Sequence, residues 1–405
     1  MAMPHGGKPP MGDLKKKNEV FDLLYANWQP QTEYEEIPVY EAAGRICAED
    51  LYAKYNQPVV RASRMDGVAV ASERFEGGMP DTSGWKLGVD YVRADTGDDF
   101  EDAYDAVVQI EKVQILPDGG LKFADDVEIK KGMNVAPCGN NIKEGMQVAK
   151  AGTRLKAQDL ALLVTGGYDT VKAAKKPVIS FIPTGSELVP AGSILERGEN
   201  FDSNSIMVKT LLTEMGADVR LHPIVKDDKA AIAQALEEML PGSDIVILNA
   251  GTSKGGEDFC VQYLKEKGNM LFHGAAAVPG RPLSITILEG KPVVNMSGPS
   301  FAAYYTSHWL IKPMIDKMTG AESSGLGEKI EVTLAEDLEM PPFLSMIAGF
   351  RLSAAEDGTI SAQRIISRGP GAEPMSASLE ADAFYVSSYG EKGHKAGEKI
   401  EVYLA

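Results

Sequence analysis

Apolar segments with the length of strands alternate with amphipathic, helix-like segments over residues 177–320. Strands are predicted at 178–182, 219–225, 244–248 and 292–295, and helices at 204–215, 227–240 and 301–318. Asp202-Ser203 and Asp227-Asp228 stand where they can cap the first two of these helices. The alternation predicts a doubly wound, mostly parallel α/β sheet, with its ligand site beyond the carboxyl ends of the strands.

The chain before this sheet has a different texture. Short β runs at 85–92, 106–109, 113–116 and 127–129, broken by Gly, Asp and Pro, favour a compact all-β domain. Mixed segments lie on both sides of it, so the simplest interpretation is a β domain inserted into a mixed α/β domain. The predicted organisation is a disordered leader at 1–12, an N-terminal mixed α/β domain at 13–50 and 146–176, an inserted β domain at 51–145, the α/β sheet domain at 177–326 and a small C-terminal β domain at 327–405.

Composition restricts the functional classes. The chain has 405 residues, 44% of them hydrophobic, and a net charge of −17, which predicts several domains and disfavours a nucleic-acid partner. No apolar run has the ~20 residues that a membrane span requires, and the first residues lack the apolar segment of a secretory signal. The three cysteines, Cys47, Cys138 and Cys260, form no Cys-x-x-Cys pair. A disulfide framework and a zinc site are therefore disfavoured, and a reducing cytoplasm is the expected location.

Glycine-rich loops with carboxylates follow the predicted parallel strands. Such loops offer backbone N–H groups and small hydroxyls to a phosphate or a pterin-like ring, and nearby acids suit a bridging Mg²⁺. No P-loop and no strand-linked G-x-G-x-x-G is present, and taken singly each loop is also typical of a plain turn. The candidates are Thr184-Gly185 with Glu187, and Gly251-Thr252-Ser253 with Gly255-Gly256-Glu257-Asp258.

A further candidate is Asp66, which lies at a bend before a predicted strand. Gly67 follows it and is interpreted as relaxing the backbone by taking a positive φ. A carboxylate on such a bend suits a ligand contact, whereas the alternative is an Asx turn in which Asp66 bonds only its own backbone. None of the five histidines lies beside a recognisable Ser or Cys nucleophile.

Taken in order, these motifs resemble the molybdenum insertases, the MoeA and gephyrin E-domain family. The resemblance extends over residues 20–320, and residues 327–405 fit the family's C-terminal β domain in texture. It rests on Glu41-Ala42-Ala43-Gly44-Arg45, Ser63-Arg64-Met65-Asp66-Gly67-Val68-Ala69, Thr96-Gly97, Pro183-Thr184-Gly185-Ser186-Glu187-Leu188, Asp202-Ser203-Asn204-Ser205, Gly251-Thr252-Ser253-Lys254-Gly255-Gly256-Glu257-Asp258 and Pro279-Gly280-Arg281-Pro282.

The resemblance implies a reaction and a site. Molybdenum would pass from molybdate to adenylylated molybdopterin, with Mg²⁺-dependent release of AMP, in a homodimer whose sheet domain is of the molybdopterin-binding type. Other cofactor-assembly proteins or molybdoenzymes are possible partners; a nucleic acid or a membrane is not expected. The site would form an inter-domain cleft. Its implied catalytic residues are Asp66, Thr96, Glu187, Asp258 and Asp228, with Asp227 as an alternative to Asp228; the metal ligands are Glu187 and Asp258; the cofactor-binding residues are Thr184, Gly185, Ser205, Gly251, Thr252, Ser253, Gly255, Arg281, Pro282, Gly298 and Asn141.

Four departures from the family pattern cluster on this implied site. The family's G-E-D-I reads Gly139-Asn140-Asn141-Ile142, and T-G-D-E-L has Ser186 in place of its first acid. Val278 stands where a Lys is common, and the loop G-L-P-G-N-P is replaced over residues 295–300. Three hypotheses follow: a working insertase, a molybdopterin-binding paralogue that is non-catalytic or altered in substrate, and a Mg²⁺-dependent phosphate-ester hydrolase unrelated to molybdenum.

Overall fold

A computed structural model describes residues 14–250, 259–322, 327–356, 358–365 and 380–405. The predicted leader at 1–12 lies outside these ranges. The chain forms two compact units, one made of residues 34–173 and the other of the segments on either side. None of the helices in the described ranges has the length and apolar character needed to cross a membrane.

The described helices and strands have the following bounds. The helices are α1 (Lys17–Asn27), α2 (Ala157–Thr165), α3 (Asn204–Glu214), α4 (Lys229–Met239), α5 (Phe259–Lys267), α6 (Ser300–Thr306) and α7 (Lys312–Thr319). The strands up to residue 174 are β1 (Tyr34–Pro38), β2 (Leu51–Tyr52), β3 (Ala62–Ser63), β4 (Gly67–Val70), β5 (Tyr91–Ala94), β6 (Ala106–Gln109), β7 (Val113–Ile115), β8 (Leu121–Phe123), β9 (Val135–Ala136), β10 (Gln147–Ala149) and β11 (Thr170–Ala174). The later strands are β12 (Val178–Pro183), β13 (Leu188–Val189), β14 (Asn200–Phe201), β15 (Asp218–Leu221), β16 (Ile245–Ala250), β17 (Asn269–His273), β18 (Ala277–Val278), β19 (Ser284–Leu288), β20 (Lys291–Ser297), β21 (Lys329–Leu334), β22 (Leu338–Glu339), β23 (Ser345–Ala354), β24 (Ile360–Arg364), β25 (Ala383–Val386), β26 (Gly393–His394) and β27 (Lys399–Leu404).

The 34–173 unit contains a β region and a mixed α/β region. In the β region β4 lies between β5 and β6 and pairs with both in antiparallel fashion. Its core includes Val68, Tyr91 and Val108. The strand predicted at 127–129 is wrong: those residues have no strand, although Val127 and Ile129 pack against this core, so their apolar pattern reflects burial. The mixed region has its own core, built from both ends of the unit.

The second unit contains a six-stranded sheet in the order β15-β12-β16-β20-β19-β17. The first four strands are parallel, and β19 pairs in antiparallel fashion with β20 on one side and with β17 on the other. Alternate residues of the strands enter different cores: Ile247 faces a core shared with α1, α3, α6 and α7, and Leu248 faces one shared with α4 and α5. Helices therefore cover both faces, and the predicted doubly wound, mostly parallel sheet is confirmed.

The helix predicted at 301–318 is interrupted. A π turn, Ser307–Ile311, separates α6 from α7. Pro313 has no N–H to give to the carbonyl of Trp309, which accounts for the break in the regular hydrogen-bond ladder. The alternation of apolar residues continues through the turn, so the sequence pattern alone does not reveal it.

The C-terminal segment forms a closed barrel. The strands β23, β24, β21, β27 and β25 pair in sequence, and β25 pairs again with β23. Val332, Phe350 and Val402 are buried inside it. The predicted C-terminal β fold is confirmed, and with it the fold class: an α/β multidomain protein with an inserted β region.

The chain leaves the second unit after Glu33 and re-enters it at Ala174. At this crossing the backbone N–H of Lys175 donates to the carbonyl of Glu33 over 2.8 Å. The Lys175 ammonium also lies 2.9 Å from the Glu33 carboxylate. The two passages of the chain are thus bonded to each other.

Candidate functional site

Asp66 and Thr96 meet at one edge of the β4–β5 pair. Gly67 at the start of β4 lies opposite Ala94 at the end of β5, so the residues just outside the two strands come together. The Thr96 backbone N–H and its hydroxyl both donate to Asp66 Oδ1, each over 2.7 Å. These bonds hold the pKa of the exposed Asp66 carboxyl below its usual range. The Asx-turn alternative is therefore wrong, because Asp66 Oδ1 accepts from Thr96, which follows the neighbouring strand β5, and not from the backbone next to Asp66.

Gly67 is required for a reason other than the predicted one. It is absent from the described residues with positive φ. Instead, a Cβ at this position would stand 1.9 Å from the carbonyl oxygen of Val108 on β6. The glycine lets the central strand approach its neighbour, and this close pairing fixes the start of β4 and hence Asp66.

The 139–141 loop is also brought to this region of the 34–173 unit. Arg64, two residues before Asp66, donates from Nη2 to Oδ1 of Asn140 over 2.9 Å. Nδ2 of Asn140 in turn donates to Oδ1 of Asn141 over 3.4 Å. Sequence reasoning identified Asn141 but missed Arg64. Its signal was a basic residue inside the motif that carries Asp66.

In the second unit, the loop after β12 was predicted to offer free backbone N–H groups at Thr184 and Gly185. This is wrong. The Thr184 N–H donates to the carbonyl of Asn249 over 3.1 Å, and the Gly185 N–H donates to the carbonyl of Val225 over 3.0 Å. Thr184 is buried, and its hydroxyl also contacts the Asn249 carbonyl. The two residues extend the hydrogen bonding of the sheet past the end of β12. They thereby fix where Ser186 and Glu187 begin the following loop.

Those following residues are exposed. The Glu187 carboxylate folds back over Gly185, where a Cβ would come within 2.8 Å of it. The Ser186 N–H donates to Asp227 over 3.0 Å, and the Ser186 hydroxyl accepts from the Asp227 N–H over 3.1 Å. Asp227, on the next loop, thus supplies a carboxylate beside Ser186.

Asp228 has a different environment from Asp227. Its Oδ1 accepts from the backbone N–H groups of Ala230 and Ala231, over 3.0 and 2.9 Å, and caps α4. The predicted capping by this pair of acids is confirmed for Asp228. Of the two alternatives left by the sequence, Asp227 is the one that contacts the 184–187 loop.

An amide chain links three strand and helix ends of the second unit. Nδ2 of the buried Asn204, at the start of α3, donates to Oδ1 of Asn249 and to the carbonyl of Gly298, each over 2.7 Å. Asn249 donates to the carbonyl of Ser297 over 2.9 Å. The backbone carbonyl of Gly298 is thereby held in place. The hydroxyl of Ser205, another predicted site residue, donates to the carboxylate of Asp202. Sequence reasoning gave no role to Asn204, although it lies in the Asp202-Ser203-Asn204-Ser205 motif, or to Asn249, whose apolar neighbours in β16 indicate only burial.

Arg281 and Pro282 lie half-buried between β18 and β19. Within the described residues Arg281 has no ion pair, and its buried Nε has no hydrogen-bond partner. A partly buried guanidinium in this state suits an anionic ligand. Gly251, Thr252, Ser253, Gly255 and Asp258 lie outside the described residues.

The donor set fits Mg²⁺ as this ion is commonly bound. No cluster of three or more His, Cys, Asp or Glu ligands exists among the described residues. Mg²⁺, however, keeps several waters and uses one or two carboxylates together with substrate phosphates. The exposed carboxylates of Glu187 and Asp227, which flank Ser186, provide that minimum.

Comparisons with known proteins match nearly the whole chain. One family model, described as the MoeA N-terminal region (domains I and II), matches residues 16–167, and a second, described as a probable molybdopterin binding domain, matches residues 180–317. The chain belongs to the MoeA family. A curated MoeA-family relative from Staphylococcus epidermidis, named molybdopterin molybdenumtransferase, is 29% identical over 90% of this chain and 89% of its own length. A relative of the same name from Haemophilus influenzae is 29% identical over 92% and 93%.

A solved structure shows the same fold. The molybdopterin biosynthesis moeA protein of Pyrococcus horikoshii OT3 superposes with a TM-score of 0.73 at 24% identity, covering 97% of this chain and 100% of its own. The resemblance read from the sequence motifs is thus confirmed as MoeA-family membership. The transferase class predicted for this MoeA-family chain is the one that its curated relatives carry.

Proposed function

We propose that the protein transfers molybdenum from molybdate to adenylylated molybdopterin, with Mg²⁺-dependent release of AMP, as a cytoplasmic homodimer. Family membership supports the reaction class. The observation that carries the proposal is the Asp66–Thr96 pair, in which two 2.7 Å bonds orient an ionised carboxylate. Both bonds go to Oδ1, so Oδ2 is the atom proposed to act on the substrate.

The chemistry assigned to these residues is modest and local. Asp66, kept ionised, orients a nucleophile or accepts its proton as the phosphoanhydride bond to AMP breaks. Arg281 attracts the anionic substrate, and the Asn204–Asn249 chain fixes the backbone at Ser297 and Gly298. Mg²⁺, proposed to be held by Glu187 and Asp258, would neutralise charge on the phosphate oxygens. Asp227, which bonds Ser186, is a further carboxylate next to Glu187 in the described part of the site.

The test is AMP release from adenylylated molybdopterin supplied with molybdate and MgCl₂. Asp66→Asn is expected to lower kcat at least about 100-fold, since general-base groups contribute about 10²–10⁴. The matched control is Asp81→Asn, another exposed aspartate of the same unit whose carboxylate accepts bonds from a neighbouring Ser83. Absence of AMP release by the wild type under these conditions would reject the proposal.

A second candidate is a molybdopterin-binding paralogue without turnover. It is favoured by the amides at Asn140 and Asn141 and by Val278, which remove charges that the family pattern carries. Titration calorimetry with molybdopterin separates the two, because tight binding without AMP release identifies the paralogue. AMP release from generic nucleotides without molybdate would instead identify a phosphate-ester hydrolase.

A further inference from the structure

The 34–173 unit presents an acidic surface beside Asp66. Thr96 is followed by a run of acids, and the whole chain has a net charge of −17. The acids of this run are Asp98, Asp99, Glu101 and Asp102, with Asp95 just before Thr96. An anionic substrate approaching Asp66 meets repulsion unless a cation of the same unit compensates locally.

Arg64 is placed to be that cation. Its backbone N–H donates to the carbonyl of Asn134 over 2.8 Å, and its side chain follows β9, with Nε 3.4 Å from the carbonyl of Val135. Nη2 ends on Asn140 Oδ1 at 2.9 Å. Three contacts along one side of the residue fix the direction of an otherwise exposed guanidinium.

The acceptor for Arg64 is itself anchored. The backbone N–H of Gly139 donates to the carbonyl of Pro58, and that of Asn141 donates to the carbonyl of Gln57, each over 2.9 Å. The residues on both sides of Asn140 are therefore tied to the segment that leads into β3. Arg64 is therefore bonded to a loop that is itself bonded to the segment before β3.

The partners of Arg64 orient it without neutralising it. Within the described ranges Arg64 forms no ion pair, whereas Arg61 lies 3.3 Å from Asp102 and Arg74 lies 2.7 Å from Asp90. An amide oxygen and a backbone carbonyl accept hydrogen bonds but carry no full charge. A guanidinium has five N–H donors, so Arg64 retains donors and its whole charge for an anion.

We infer that Arg64 binds a tetrahedral oxyanion of the substrate, and that Asn140 is the neutral residue that positions it. The oxyanion is either a phosphate group of the pterin nucleotide or molybdate itself, since both offer the oxygens that a guanidinium recognises. The inference rests on the proposed function, because it assigns the substrate group that faces Asp66. Arg64 is thus a specificity-determining residue.

The experiment compares wild type, Arg64→Gln and Asn140→Glu in the full-length protein. Each is titrated with AMP alone and with molybdate alone, and KM and kcat are measured for AMP release. Arg64→Gln should weaken one of the two ligands about 10- to 100-fold, as expected for loss of a charge-assisted hydrogen bond. The weakened ligand identifies the source of the oxyanion, and KM should rise more than kcat falls.

Asn140→Glu tests whether the neutrality of the residue beside Arg64 matters for anion binding. A carboxylate beside Arg64 should form an ion pair and weaken the same ligand in the same direction, while Asn140→Gln, which keeps the amide, should restore most of the affinity. Arg74→Gln is the matched control: it removes an arginine charge from the same unit and should leave both titrations unchanged.

The outcomes separate the inference from the proposed function. If wild type releases AMP and Arg64→Gln binds AMP and molybdate like Arg74→Gln, the inference is overturned and the function stands. If wild type releases no AMP but Arg64→Gln still weakens one ligand, the function fails and the anion site stands. Thermal denaturation confirms that the variants are folded, so a loss of binding is not a loss of structure.

Discussion

The partly buried Lys17 makes the stability of the second unit depend on pH in an uncommon direction. Its ammonium on α1 lies 2.5 Å from the Tyr305 hydroxyl, 4.7 Å from the centre of the Tyr305 ring and 5.4 Å from that of Trp309. Among the described residues no carboxylate forms an ion pair with it. Burial lowers the pKa of Lys17 from 10.5 to about 7.

The sign follows from proton binding. The pKa is lower in the folded protein, so between about pH 7 and 10.5 the unfolded chain binds more protons, and the free energy of unfolding rises with pH. The penalty is fully present below pH 7 and absent above about 10.5. Between pH 7 and 9.5 a group shifted by this amount adds about 3 kcal/mol to the free energy of unfolding. Lys17→Met removes the titrating group, and Ser345 remains as a partner for the Tyr305 hydroxyl at 3.3 Å.

The assay is urea denaturation at pH 7 and 9.5 in a Trp85→Phe background, where fluorescence reports Trp28 and Trp309 of the second unit. At pH 7 Lys17→Met should be the more stable protein, and its advantage should shrink by about 3 kcal/mol at pH 9.5. Lys209→Met, on an exposed position of α3, is the control. Parallel responses of wild type and Lys17→Met to pH would refute the reasoning.

Three further predictions concern the residues around the site. Gly67→Ala should destabilise the 34–173 unit by about 3 kcal/mol, because its Cβ would stand 1.9 Å from a carbonyl of β6; Gly77→Ala, which meets nothing within 4 Å, should be near neutral, and equal denaturation midpoints would contradict this. Thr96→Val removes one of the two bonds that lower the pKa of Asp66, so the acid limb of the pH–rate profile should move to higher pH; an unmoved limb would exclude Asp66 as the titrating group. Asn249→Ala should cost about 2 kcal/mol in chemical denaturation, because it leaves buried partners unsatisfied, and a cost below about 0.5 kcal/mol would show that the amide chain is dispensable.

Much of the fold could be predicted because buried strands and helices carry apolar residues at regular intervals along the sequence. Most residues of β12 and β16 are apolar, because both faces of the sheet are buried. A helix between these strands begins at a recognisable cap, Asp228. The pattern gives no account of the interruption at Ser307–Ile311, since a π turn keeps the same face buried. It also placed a strand at 127–129, where side chains are buried without pairing of the backbone.

The candidate site was predicted only in part, for a reason of distance along the chain. Asp66 and Thr96 meet because two neighbouring strands pair, and their motifs mark them. Arg64 and Asn140 are 76 positions apart and meet through a loop whose path no local preference specifies. Thr184 shows the opposite error: a turn-like sequence continues a sheet, because a neighbouring strand end accepts its N–H.

The crossing at Glu33 and Lys175 has a consequence for how the chain is assembled. Because the two passages are bonded there over 2.8 Å, residues 34–173 occupy the place of a single surface loop in the topology of the remaining chain. Insertions at such positions are tolerated where the ends lie close together. A short Gly-Ser bridge between residues 33 and 174 should therefore yield an autonomous sheet-and-barrel protein, in which ligand binding can be measured without Asp66 and Arg64.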